Sequence, residues 1–174
     1  MVHFYLGDGK GKTTAALGLA LRAIGVEKKV YIAQFLKDKN VFSAEIFAVE
    51  KFNFPIKIER FKHQTHPFFL KRERFNRKLL RESVREALSK VEEYIEKRKF
   101  DLIVLDEILN AVMQKFCSKA LLKRIIKQSS EIELILTGRS APSDLIELAD
   151  YVSFIKNMKH PFYRNISARK GIDY

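Results

Sequence analysis

The stretch that most constrains this chain is Gly7-Asp8-Gly9-Lys10-Gly11-Lys12-Thr13-Thr14. It follows a short apolar run, Val2 to Leu6, and opens a second apolar segment, Ala15 to Ile24. Strand, glycine-rich turn and helix, in that order, is the context of a phosphate-binding loop. Glycines let the backbone wrap a phosphate, and the helix start supplies unpaired N–H groups and the positive end of its dipole. The Lys12 ammonium can reach the phosphates, and the Thr13 hydroxyl can hold a magnesium ion. The strict pattern has a glycine at position 6, where this chain has Leu6, and its glycine comes one place later, at Gly7. The rival reading is a glycine-rich turn with no ligand. The Gly-Lys-Thr ending and the correct flanks favour a nucleoside triphosphate site, with residues 7 to 14 as its candidate contacts.

A chain of 174 residues suits a single domain, 1–174, able to bury a sizeable core. No apolar run approaches the roughly 18 residues of a membrane span. The first strand starts at residue 2, so no signal peptide is expected, and the lone Cys117 has no partner for an internal disulfide. Cys117 is expected to be a packed apolar residue. A reduced, cytoplasmic protein without a membrane partner is the expectation. The net charge is +12, and between Lys57 and Lys99 there are 14 basic residues against 7 acidic ones. That balance attracts anions such as nucleotides, nucleic acids or polycarboxylates.

Along the chain, the spacing predicts a helix from Thr14 to Gly25, apolar nearly all round and so buried, with Gly25 as a left-handed cap. Lys29 to Leu36 reads as a strand buried on both faces, Ser43 to Phe52 as a short helix, and Ile56 to Phe61 as a third strand. The longest helical pattern is Lys71 to Arg98. Phe75, Leu79, Val84, Leu88, Val91 and Ile95 form its apolar stripe. Arg74, Arg77, Arg81 and Arg85 line another face, either solvated or turned towards an anion. Asp101 to Asp106 is the next strand, followed by helical stretches at Leu109 to Phe116 and Ser118 to Gln128. Glu131 to Thr137 is a strand, Pro142 to Ala149 a short helix, and Val152 to Ile155 a last strand before a basic tail. Strands alternating with helices imply a mostly parallel sheet covered on both faces, an α/β fold.

A phosphate loop needs a metal partner, and Asp106-Glu107 at the end of a buried apolar strand supplies one. Asp106 and Glu107 join Thr13 as candidate metal residues. The alternative is an acidic pair that caps the next helix. In P-loop folds of this kind the strand ending Thr137-Gly138-Arg139 commonly lies between the loop strand and the Asp-Glu strand. That position aims Thr137 and Arg139 at the phosphates, and the planar fork of Arg139 suits their oxygens. A structural Arg–carboxylate pair is the rival. Lys12 and Arg139 are the candidate catalytic residues.

These segments resemble a known family. GDGKGKTTAALGLALRA, AQFLK, LIVLDEIL, LTGRSAPSDLIELADYV and KHPF…KGIDY are similar to the ATP:corrinoid adenosyltransferases of bacterial cobalamin synthesis. The resemblance spans both ends and the middle, and the run from Leu136 to Val152 is its most specific part. It implies a single-domain, RecA-like P-loop fold with strand order 3-2-4-5-1-6, usually in a homodimer. It implies transfer of the 5′-deoxyadenosyl group of ATP to the cobalt of a reduced Co(I) corrinoid, with release of triphosphate. ATP and Mg²⁺ are the implied cofactors, and an electron-donating reductase or flavoprotein the implied partner. Gly7 to Thr13 would hold the triphosphate, and Thr13 with Glu107 the magnesium. Relatives carry a Trp-containing aromatic stretch between the third strand and the long helix. This chain has no Trp and offers Phe61, His63, His66, Phe68 and Phe69 there, with Phe68 and Phe69 as candidate covers for the corrinoid. Tyr163-Arg164-Asn165 and Arg169 also depart from the family pattern. Two other functions fit a P-loop: a RecA-like ATPase driven by nucleic acid, and a small nucleotide kinase. Neither a specific nucleic-acid motif nor an arginine-rich lid is present to carry them.

Overall fold

The computed structural model describes residues 1–64 and 76–172. Its elements are β1 (Val2–Leu6), α1 (Lys12–Ile24), β2 (Val30–Gln34), α2 (Ala44–Lys51), β3 (Ile56–Arg60), α3 (Arg77–Glu96), β4 (Leu102–Asp106), α4 (Ile108–Met113), α5 (Lys119–Gln128), β5 (Glu133–Thr137), α6 (Ser143–Ile146) and β6 (Tyr151–Phe154). A 3-10 turn follows at Pro161–Arg164. The strands form one sheet in the order β3-β2-β4-β5-β1-β6, and every pairing is parallel. The expected strand order is therefore present, and the sheet is wholly rather than mostly parallel. No helix among the described residues is long and apolar enough to cross a membrane.

The central strands read as continuous apolar runs because both faces are covered. β2 and β4 are buried at every position. On one face Tyr31, Ala33, Ile103, Leu105, Leu134 and Leu136 pack with Leu80, Val84, Leu88 and Val91 of α3 and Leu122 and Ile125 of α5. On the other, Ala16, Ala20 and Ala23 of α1 sit against Val30, Ile32, Leu102, Val104 and Ile135. Alanine at that seam lets the helix approach the sheet closely.

Here the apolar pattern of α1 misleads. The helix buries one side only, and Leu21 is 55% exposed. Gly25 is right-handed, with φ −62°; the left-handed turn falls at Glu27, φ 61°. In α3 the buried residue of the first turn is Leu80, whereas Leu79 lies at the surface. Phe75 and Arg74 lie outside the described residues. Arg77, Arg81 and Arg85 are all exposed, as the solvated reading expects, and two of them also bond to backbone. Arg77 Nη2 donates to the Gln114 carbonyl (3.1 Å) and Arg81 Nε to that of Lys115 (3.0 Å), just past the end of α4. Cations there also complement the helix dipole. Cys117 is buried, and desolvation pushes its thiol up to about 12, so it is the inert packed residue expected.

The one-sided burial of α1 has a measurable consequence. Leu21→Gln should alter stability by no more than about 0.5 kcal/mol. Ala20→Leu, at a fully buried position on the sheet side, should cost about 1–3 kcal/mol by overpacking. Chemical denaturation of both variants checks this, and equal losses would contradict the burial pattern.

Candidate phosphate and metal site

The site forms where the C-terminal ends of β1, β2, β4 and β5 meet. Leu6 ends β1 as a buried core residue paired with Phe154. The glycine of the loop therefore comes after the strand, at Gly7, which takes φ 115°. A Cβ there would lie 2.2 Å from the carbonyl oxygen of Ile155. The amide of Gly7 donates to the Arg139 carbonyl (3.0 Å) and that of Gly9 to the Ile155 carbonyl (2.9 Å). The Asn157 amide donates to Asp8 Oδ1 (3.3 Å). The chain leaving β6 thus braces the loop from outside.

Gly11, at φ 119°, is the N-cap of α1 and brings no side chain to cap it. The N–H groups of the first turn consequently face an outside acceptor. Lys12 Nζ donates to the carbonyls of Gly7 (2.7 Å) and Gly9 (2.8 Å), which holds the ammonium within the curl of the loop. Desolvation lowers the Lys12 pKa, as does the charge of Arg139, while Glu107, Asp106 and Asp8 oppose the shift. The structure therefore brings Lys12, Arg139, Asp106 and Glu107 into one electrostatic neighbourhood. Asp8, Lys10 and Thr14 lie at the exposed rim.

Asp106 is fully buried and is the centre of the site. Its Oδ1 accepts from Thr13 Oγ1 (2.9 Å) and Thr137 Oγ1 (2.8 Å). Its Oδ2 accepts from Lys37 Nζ (2.7 Å) and more distantly from Gln34 Nε2 (3.4 Å). A charge so deeply buried is tolerable only with such partners. Because the Thr13 proton is committed to Asp106, its oxygen lone pairs remain available to a cation. Thr137 Oγ1 in turn accepts from the amide of Glu107 (2.9 Å), and Glu107 takes φ 67°.

Glu107 occupies the N-cap position of α4 but makes no side-chain cap hydrogen bond, so the capping alternative is not what the chain uses. Its carboxylate accepts from Asn110 Nδ2, and Asn110 Oδ1 accepts from the amide of Arg139 (2.8 Å). Burial raises the Glu107 pKa above the ordinary carboxylate range, and the adjacent Asp106 adds to it; Lys37 is the strongest influence the other way. Hard oxygen donors and two adjacent carboxylates suit Mg²⁺, which takes one or two carboxylates along with phosphates. Among the described residues no group of three His, Cys, Asp or Glu could form a separate metal cage.

The strand order puts β5 between β4 and β1, which brings Arg139 to the loop. Its side chain is exposed and makes no ion pair with a carboxylate among the described residues, contrary to the structural rival. Phe68 and Phe69, like His66, lie outside the described residues. Phe61 packs on Phe35 (centroids 6.1 Å apart) at the core margin, and His63 is exposed. Thr137, expected to be aimed at the phosphates, is fully buried and donates to Asp106; sequence reasoning gave no role to Lys37, Gln34 or Asn110. Lys37 stands in the AQFLK segment, but only the backbone turn at Leu36 shows that it reaches Asp106. A groove of about 780 Å³ between α3 and α5, lined by Arg81, Arg85, Leu88 and Phe116, shares no residue with this site.

The raised pKa of Glu107 carries a sign. The folded chain binds that proton more tightly than the unfolded one, so the stability it contributes is present at low pH and lost as pH rises through the raised value. Glu107→Gln mimics the protonated form. It should melt above wild type in chelator at neutral pH, with a margin that shrinks towards pH 5. Melting scans at both pH values check this; a margin independent of pH would assign the effect to packing.

Comparison with known proteins agrees with this geometry. The chain is 31% identical over 181 residues to the corrinoid adenosyltransferase of Escherichia coli K12, covering all of this chain and 85% of that protein. It is 29% identical to the corrinoid adenosyltransferase CobA of Salmonella typhimurium LT2 with the same coverage. To the corrinoid adenosyltransferase of a Sinorhizobium species it is 30% identical, over 97% of this chain and 77% of that one. The match to the family described as ATP:corrinoid adenosyltransferase BtuR/CobO/CobP runs from residue 1 to 174, and the chain belongs to that family.

Proposed function

We propose that the protein transfers the 5′-deoxyadenosyl group of ATP to the cobalt of a Co(I) corrinoid and releases triphosphate, acting as one domain in the cytoplasm. The observation that carries this reading is the combination of full-length family membership with a phosphate loop facing a buried Asp-Glu pair. The loop amides, Lys12 and Arg139 would bind the triphosphate. Thr13 and Glu107 would hold Mg²⁺, with Asp106 fixing the Thr13 hydroxyl. The metal would supply charge neutralisation on the leaving triphosphate.

The reaction needs no general base, because Co(I) is itself the nucleophile. The protein's task is to align the ribose carbon and to stabilise the charge that develops on the leaving group. Glu107, tied to Asn110, fits the role of a ligand better than that of a base free to activate water. Phe68 and Phe69, which follow β3 in the sequence, are proposed to cover the corrinoid. A reductase or flavoprotein would deliver the electron, and a homodimer is the proposed assembly.

Product analysis by phosphorus NMR with ATP, Mg²⁺ and chemically reduced cobalamin tests the reading. Triphosphate should appear in step with a light-sensitive adenosylcorrinoid; ADP as the main product would overturn it. Lys12→Ala should lose about 2–4 kcal/mol of transition-state stabilisation with little change in melting. Turnover within threefold of wild type would remove Lys12 from the mechanism.

A further inference from the structure

Lys37 belongs to no phosphate motif, yet its position is built with care. The ladder between β2 and β4 extends one residue past the strands, where the Phe35 amide donates to the Asp106 carbonyl (2.9 Å). Leu36 then takes φ 55°, a conformation that costs a non-glycine residue energy and persists only when the surroundings impose it. Its amide is held by Gln64 Oε1 (3.1 Å), and Gln64 is itself fully buried and anchored to Ser83 of α3 (3.2 Å). The turn carries Lys37 over the end of β4, where Nζ lies 2.7 Å from Asp106 Oδ2 and 3.9 Å from Glu45 Oε1. The side chain is 26% exposed, so the ammonium has a route outward, whereas Asp106 has none.

We propose that Lys37 is an internal competitor of the divalent cation, compensating the Asp106–Glu107 pair until a triphosphate arrives to accept its charge. The inference rests on the metal reading above. A divalent ion beside these carboxylates meets the repulsion of an ammonium already bonded to one of them. Without nucleotide, that repulsion keeps the metal weakly bound. With a triphosphate present, the ammonium gains an anionic partner and the cation can settle at Thr13 and Glu107. Metal and nucleotide then bind together, which prevents free Mg²⁺ from occupying the carboxylates alone. Arg60 is placed to preserve the surroundings during the exchange. Its Nε donates to Gln34 Oε1 (2.7 Å), its Nη2 lies 3.6 Å from Glu45 Oε1, and Glu45 Oε1 accepts from Gln34 Nε2 (2.9 Å).

The test uses Mn²⁺ alone, followed by electron paramagnetic resonance on the full-length protein without nucleotide. Lys37→Met should bind Mn²⁺ at least about tenfold more tightly than wild type, the scale expected when one nearby like charge is removed at a partly buried site. Lys37→Arg should keep the weak affinity of wild type. If Lys37→Met folds poorly, melting with and without Mn²⁺ gives the same answer, because a tighter ligand must raise its melting temperature more than that of wild type. Mn²⁺ affinity in Lys37→Met that is unchanged or weaker overturns the proposal and leaves Lys37 as a support for Asp106. Failure of the underlying metal reading is separate: Glu107→Gln would then bind Mn²⁺ and ATP together as well as wild type does.

Discussion

The arrangement at the C-terminal end of the sheet depends on one buried carboxylate. Asp106 ends the central strand β4 with no solvent access and gathers donors from four segments: Thr13 of α1, Thr137 of β5, and Gln34 and Lys37 from β2 and its tail. Removing a carboxylate from water is costly, and the cost is offset only when its oxygens are fully occupied. Here the occupation also has a geometric effect. The phosphate loop, the neighbouring strand and the tail of β2 are tied to a common point, so the proposed ligands of metal and phosphate are placed together. A change at Asp106 would consequently act on fold and chemistry at once.

Two backbone positions beside that carboxylate are held in left-handed conformations that their side chains do not favour. Leu36 and Glu107 take φ 55° and 67°, each costing on the order of 1–3 kcal/mol. In each case the residue's own amide is engaged: that of Leu36 donates to Oε1 of buried Gln64, and that of Glu107 to Thr137 Oγ1. The first turns Lys37 inward, and the second accompanies the placement of Glu107 next to Asp106. Left-handed residues also occur at turns elsewhere, such as Glu27, Asn53, Arg98 and Lys115, but these two lie beside the site proposed for the metal.

Much of the site was legible because it is local in the chain. Gly7 to Thr14 and the Asp106-Glu107 pair are contiguous motifs, and the strand order that brings Arg139 to the loop follows from the family pattern. What escaped was either long-range or directional. Lys37 lies 69 residues from Asp106 in sequence, and its role depends on the handedness of Leu36, which no periodicity encodes. Helix α1 looked buried all round because Leu and Ala give the same apolar pattern, although only Ala16, Ala20 and Ala23 are buried, with Leu17, Leu19 and Ile24 half-buried beside them. Leu6 broke the strict loop pattern for a simple reason: it is the last core residue of β1, and the turn begins after it.

The positive charge of the chain illustrates why net charge alone does not identify a ligand. In the sequence, Arg77, Arg81 and Arg85 form a regular stripe, as an anion-binding face would. In the fold, Arg77 and Arg81 reach carbonyls beyond the end of α4, and Arg77 also lies over the Phe116 ring at 4.7 Å. These contacts join α3 to the segment that follows the Asp-Glu pair, so they support the site from outside. Lys37 has the opposite relation to charge: it is inconspicuous in the sequence, yet it is bonded to the most buried acid of the site. Local compensation, one carboxylate at a time, therefore says more about the chemistry than the sum of +12 does.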